Sequence, residues 1–325
     1  MKQAFFWLVS GVLALLGLAA ICALVALARV APIDVRALAR RVPERSALME
    51  EREREARQRE RPYAETRYWV PLERISPHLR NAVLVAEDAR FFSHEGFDWN
   101  EIRQSARRNL RERRIARGGS TITQQLAKNL WLTTAQTPWR KFEEMILAVR
   151  LERSLSKRRI LELYLNTIEW GDGVYGAEAA ARHWFGASAA ALDADQAIRL
   201  AAVVINPRRY SPVSPGARIE NRVRIIAGRL RRRGAISEAE YRMAVGLPPE
   251  APTPMVDSAF LAPPDSAAGA GRDGALPPEP GLPVDPAPPF PEPGLEPPAT
   301  DSLSAARVPT VAPPPGPSPG PAGAR

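Results

Sequence analysis

At 325 residues the chain has room for about two domains, but its composition shifts so sharply along its length that one folded domain is expected. Of 33 prolines, 24 fall between Leu247 and Arg325, a stretch with nine acidic residues and three arginines, so the formal charge of +9 divides into −6 on this tail and +15 on residues 1 to 246. A single cysteine, Cys22, excludes a disulfide framework, and three scattered histidines, His78, His94 and His183, exclude a metal site built from His and Cys.

From Ala4 to Ala28 no charged residue occurs in 25 positions rich in Leu, Ala, Val and Phe. At ~1.5 Å per residue such a helix spans the ~30 Å hydrocarbon core of a bilayer. The apolar run is longer than the ~7 to 15 residues of a signal-peptide core, and no small-x-small cleavage site closes it. Ile21 stands where a lipoprotein signal needs a small residue before Cys22. Residues 1–30 therefore read as an uncleaved N-terminal anchor, with a single transmembrane helix over 4–28. Arg29, Arg36, Arg40 and Arg41 outweigh Lys2 and by themselves favour a cytoplasmic domain, although long domains translocate largely regardless of flanking charge.

Residues 31–67 are densely charged, with Glu50-Glu51-Arg52-Glu53-Arg54-Glu55 at their centre and no apolar stripe, which predicts a solvated stalk or linker. Apolar character returns at Trp69, Val70 and Leu72, and the folded domain is expected over 68–246. Its period is helical almost throughout, which predicts a mainly α fold. Ser76-Pro77 is an N-cap and first-turn pair, followed by Leu79, Val83 and Glu87 on one stripe. Further stripes are Ile122, Leu126, Leu130; Phe142, Ile146, Val149; Leu161, Leu165, Ile168; and Ala197, Leu200, Ala201, Val204. From 247 to 325, proline fixes φ and removes donors while apolar surface is scarce, so this tail is expected to be disordered.

Three motifs carry chemistry. In Glu87-Asp88-x-x-Phe91-x-x-His94-x-Gly96, the first carboxylate continues the apolar stripe and closes a helix, and both circumstances raise a carboxyl pKa toward that of a general base or acid. An isolated Glu-Asp pair is more often a solvated helix end, but Phe91, His94, Gly96 and Asp98 predict a structured turn. In Gly119-Ser120-Thr121-Ile122-Thr123-Gln124-Gln125-Leu126-Ala127-Lys128-Asn129, glycine and a hydroxyl N-cap open a helix whose free N–H groups suit an anion. Thr121, Gln125, Lys128 and Asn129 share one of its faces. In Arg140-Lys141-x-x-Glu144, two cations reach one carboxylate at i+4 and i+3, a pattern equally compatible with a surface ion pair.

Other features weigh less. Arg103, Arg107, Arg111 and Arg114 form a basic stripe without interleaved aromatic residues, which fits a membrane surface and not a nucleic acid. Ser154-Leu155-Ser156-Lys157 matches the Ser-x-x-Lys of acyl enzymes but lacks the companion motifs.

Taken in order, the motifs resemble those of the biosynthetic peptidoglycan glycosyltransferases of family 51 in their monofunctional form. The resemblance covers about 68–215 and includes Lys157-Arg158-Arg159-Ile160-Leu161-Glu162-Leu163-Tyr164-Leu165-Asn166 and Gly173-Val174-Tyr175-Gly176-Ala177-Glu178-Ala179-Ala180-Ala181. It implies a lysozyme-like helical domain with a membrane-associated subdomain. It also implies polymerisation of lipid II, an undecaprenyl-pyrophosphoryl disaccharide-pentapeptide, onto a nascent glycan strand.

Carried over by motif, Glu87 and Glu144 form the catalytic pair: Glu87 deprotonates the acceptor 4-hydroxyl, and Glu144 belongs with the diphosphate-binding group. Asp88, Ser120, Gln125, Lys128, Asn129, Arg140 and Lys141 are the implied substrate-binding residues. No cofactor is required, and stimulation by a divalent cation is left open. The implied location is the inner membrane with the domain on the periplasmic side, among cell-wall synthesis or division proteins. Two rival readings are a lytic transglycosylase, which needs no diphosphate-binding cations, and an inactive membrane-anchored scaffold using the Pro-rich tail. The chain departs from the family pattern at Gln196-Ala197-Ile198-Arg199-Leu200-Ala201, where the family reads Glu-Ala-Ala-Leu-Leu-Ala.

Overall fold

The computed structural model describes residues 2–112, 119–132 and 138–249. Apart from its first three residues, the Pro-rich tail lies outside the described residues, as does Arg114 of the basic stripe.

Helix α1 (Lys2–Val30) is continuous. Among the described residues no helix is long and apolar enough to cross a membrane, so the transmembrane expectation finds no support in the fold; several α1 side chains lie outside the described residues. Its end is tied down. Arg29 Nε lies 3.0 Å from Glu143 Oε1, and the Arg150 guanidinium donates to the carbonyls of Val30 and Ile33.

The expected solvated stalk is seated on the domain instead. Helix α2 (Ala47–Gln58) is capped by Ser46, whose hydroxyl accepts from Met49 N. Leu48 and Met49 are buried in a cluster with Tyr175, Arg52 Nε reaches Glu169 Oε2 at 3.0 Å, and Arg208 Nη1 reaches Glu55 Oε2 at 2.8 Å. The apolar contact is confined to one turn and its ends, too short to register as a stripe, while charges that look solvated in sequence find partners across the fold.

Among the described residues three strands, β1 (Thr66–Arg67), β2 (Glu169–Gly171) and β3 (Val174–Tyr175), form a sheet in the order β1-β3-β2, parallel between β1 and β3 and antiparallel between β3 and β2. Strands of two or three residues are too short to show alternation. Gly173, at φ +73°, turns β2 into β3 where a Cβ would stand 2.1 Å from the carbonyl oxygen of Ala64.

Among the described residues the remaining α-helices are α3 (Pro77–Glu87), α4 (Trp99–Glu112), α5 (Ile122–Trp131), α6 (Pro138–Ser154), α7 (Lys157–Thr167), α8 (Ala177–Phe185), α9 (Ala194–Val203), α10 (Ala217–Arg232) and α11 (Glu238–Ala244). Ser76 and Pro77 open α3 as expected, and Leu79 and Val83 are fully buried. Helix α3 packs on α9 and α10, while α5 packs on both α6 and α7. Ile122, Leu126, Leu161 and Leu165 are core residues, each contributing roughly 1.5–3 kcal/mol on burial. Gln196, the departure from the family pattern, completes a capping box with Asp193 at the start of α9.

One stripe faces elsewhere. In α6 the core side is Glu144, Leu147, Ala148 and Leu151, whereas Phe142 is 48 % exposed. Leucine and isoleucine occupy more than one face of α6, so period alone does not choose the buried one. The face that wins takes Glu144 inward.

Candidate active site

Glu87 is the last residue of α3, held above Val83 by the stripe that buries the helix. Its side chain is 13 % exposed. Gln125 Nε2, from α5, donates to Glu87 Oε2 at 3.0 Å; Gln125 Oε1 accepts from the Tyr164 hydroxyl of α7 at 2.9 Å. Arg222 Nη2, from α10, donates to Glu87 Oε1 at 2.6 Å. Burial pushes the Glu87 carboxyl above the usual carboxylate range; Arg222, Gln125 and Lys128 oppose that shift without cancelling it, and neighbouring Asp88 adds to it. Burial, with Glu87 and Asp88 nearby, drives the Tyr164 phenol well above its ordinary value. Tyr164 is therefore a permanent donor that fixes the Gln125 amide.

Asp88 serves the fold. It is buried, with His94 Nε2 at 2.9 Å from Oδ1 and 3.0 Å from Oδ2. Gly96 N donates to His94 Nδ1 at 3.2 Å, so the ring proton sits on Nε2 and is given to Asp88. Oδ2 also accepts from Ile122 N at 3.0 Å. Thr121 caps α5 in a capping box with Gln124, and its hydroxyl donates to Gly96 O at 2.7 Å. Gly96 sits at φ +92°, where a Cβ would press on Glu152 at 3.3 Å. The turn from Phe91 to Asp98 is as structured as the sequence predicts. The N–H groups at the start of α5 differ from expectation: Asp88 and Thr121 take them, leaving the polar side chains of α5 to face a ligand.

The cations gather around Glu144, which is 3 % exposed. Arg140 Nη1 lies 3.2 Å from its Oε2, and Lys141 Nζ is hydrogen-bonded to its Oε1 and 3.3 Å from the hydroxyl of exposed Ser120. A carboxylate buried between two cations is held by them and fixes their direction. Lys128 has no ion-pair partner among the described residues, and burial pulls its pKa below the ordinary lysine value while Glu144 and Glu87 oppose that. A cavity of about 290 Å³ is lined by Gln125, Lys128, Asn129 and Tyr164, and extends past Glu169 and Arg52 to Asn206 and Arg208.

Thus Glu87, Gln125, Lys128 and Asn129 come together across α3 and α5, and Ser120, Arg140, Lys141 and Glu144 across the start of α5 and α6; Asp88 stands behind both as a buried support. Two residues were not singled out by sequence. Tyr164 lies inside a recognisable stretch, so its hydroxyl is a traceable signal. Arg222 is one of six arginines in α10, and nothing in the sequence separates it from the others.

A family model described as Transglycosylase matches residues 53–231, just over half of the chain. The chain is 52% identical over 177 residues to a biosynthetic peptidoglycan transglycosylase of Methylobacillus flagellatus, covering 54% of this chain and 77% of that protein. It is 48% identical over 188 residues to one of Nitrosospira multiformis, covering 58% and 82%. A third, of Chromobacterium violaceum, is 51% identical over 174 residues, covering 53% and 76%.

Proposed function

Because the chain belongs to the transglycosylase family of biosynthetic peptidoglycan enzymes, we propose that this glycosyltransferase polymerises lipid II with Glu87 as its general base. The acceptor is the GlcNAc 4-hydroxyl of lipid II, and the donor is the growing strand on undecaprenyl diphosphate. Glu87 takes the hydroxyl proton as the oxygen attacks C1 of the donor MurNAc from the face opposite the diphosphate. The C1–O bond to phosphate breaks with inversion, a β-1,4 linkage forms, and the bonding pair leaves on undecaprenyl diphosphate.

One observation carries this reading: Gln125 is bonded to Glu87 and lines the same cavity as Lys128 and Asn129. The proposed base is thereby coupled through Gln125 to a volume that the buried Lys128 lines. Negative charge grows on the leaving diphosphate in the transition state, so cations fixed beforehand lower the barrier. Burial favours ligand charge here, since Lys128 has no carboxylate ion-pair partner among the described residues while Arg140 and Lys141 are aimed by Glu144. Ser120, beside Lys141, is assigned to the same diphosphate group. Glycan cleavage has no use for such cations.

Residues 4–28 are proposed as the membrane anchor on their uncharged sequence, with the domain on the periplasmic side where lipid II is polymerised. The docking of Arg29 and Arg150 around the end of α1 supports a fixed approach to the bilayer. The test is purified full-length protein with lipid II: glycan polymer and undecaprenyl diphosphate are expected, and Glu87→Gln should abolish both. Turnover of preformed strands alone would overturn the proposal.

A further inference from the structure

We propose that Arg222 is a positioning residue for Glu87, and that with Arg229 and Arg233 it clamps the end of α3 on which the base stands. This rests on the reading of Glu87 as the base. Arg222 Nη2 donates to Glu87 Oε1 at 2.6 Å and lies 3.5 Å from Ala86 O. Arg229 Nη1 is 3.4 Å from Val85 O, and Arg233 Nη2 is 3.2 Å from Ala89 O. Spacings of seven and four place all three on one side of α10 and its C-terminal cap.

The last carbonyls of a helix have no partners within it, and that end carries the negative pole of the dipole. Guanidinium groups answer both at once. The planar fork also lets one side chain hold a main-chain carbonyl and a carboxylate together, which an ammonium does not reproduce. Arg222 Nε is buried without a hydrogen-bond partner among the described residues. The orientation of the guanidinium is set by Glu87, to which its Nη2 donates.

The groups that face Glu87 are Arg222 from α10, Gln125 and Lys128 from α5, Tyr164 from α7 and its neighbour Asp88. On α9, Asp195 and Arg199 pair with each other at 2.8 Å. Arg222 is therefore the charge in direct contact with the base. It favours the ionised carboxylate against the effect of burial and stops it rotating out of line.

The experiment is the pH dependence of lipid II polymerisation by full-length Arg222→Ala, Arg222→Lys and Arg229→Ala proteins, with thermal melts to verify folding. In Arg222→Ala the acid limb of kcat should move up by about one pH unit, the usual effect of losing an opposite charge at hydrogen-bond distance, with KM for lipid II little changed. Arg222→Lys should fall between, and it carries the test if Arg222→Ala does not fold. Arg229→Ala, which removes a hydrogen bond to the Val85 carbonyl and no contact with Glu87 among the described residues, should lower kcat without moving the limb. A folded Arg222 variant with an unshifted limb, or a loss confined to KM, overturns the proposal. Should Glu87→Gln polymerise normally, the base assignment itself fails; an inactive Glu87→Gln beside an unshifted limb defeats only the clamp.

Discussion

Asp88 Oδ2 sits 3.0 Å from the backbone nitrogen of Ile122, and this contact joins the residue after Glu87 to the first turn of α5. The same carboxylate accepts a hydrogen bond from the His94 ring N–H. Two motifs separated by some thirty residues in sequence are thereby locked into one register, and Gln125 meets Glu87 because of it. Asp88→Asn turns one acceptor oxygen into an NH2 facing a donor. A loss of about 1–3 kcal/mol is expected, read as a lower urea midpoint, together with reduced polymerisation. Unchanged stability would show that Asp88 faces substrate and not the fold.

Tyr164→Phe removes the donor that fixes the Gln125 amide. Free to flip, Gln125 holds Glu87 for part of the time only. One neutral hydrogen bond is worth about 1 kcal/mol, so kcat should fall about fivefold. Steady-state rates on lipid II check this, and a change in KM alone would contradict it.

The raised pKa of Glu87 has opposite consequences for rate and stability. A base works ionised, so the rate should rise with pH through a value above the ordinary carboxylate range. For stability, a folded-state pKa above the unfolded one gives a contribution that is complete below the unfolded value of about 4.3 and is lost as pH rises through the folded value. Glu87→Gln cannot ionise. Its stability relative to the native protein should therefore improve between pH 4 and pH 7, measured by urea unfolding, while its rate is lost at both.

Met49 is fully buried against Leu48 and Tyr175. Met49→Ala should cost about 2–5 kcal/mol, visible as a lower melting temperature. A solvated stalk predicts a change within about 0.5 kcal/mol, so the melt separates the two descriptions of residues 31–67.

Much of the site was legible because its signals are local. Ser76-Pro77, the Thr121 cap and the Leu79-Val83-Glu87 stripe need only a turn or two of helix to be read, and they set where each helix begins and which side it buries. The buried face of α6 was not legible, because two apolar faces compete and only packing against α5 and α1 chooses between them. The seat of α2 was hidden for a related reason: Arg52 and Glu55 look solvated until Glu169 and Arg208 arrive from more than a hundred residues away.

The sequence by itself determined the helical class, the caps, the order of the three motifs and the residue types they carry, since these depend on neighbours within a few positions. Only the tertiary structure decided that Asp88 turns inward to plug α5, that Arg222 is the arginine of α10 that meets Glu87, and that Glu144 is buried between its cations. Those choices are contacts between distant segments, and their energies depend on burial and distance, quantities that a linear pattern does not contain.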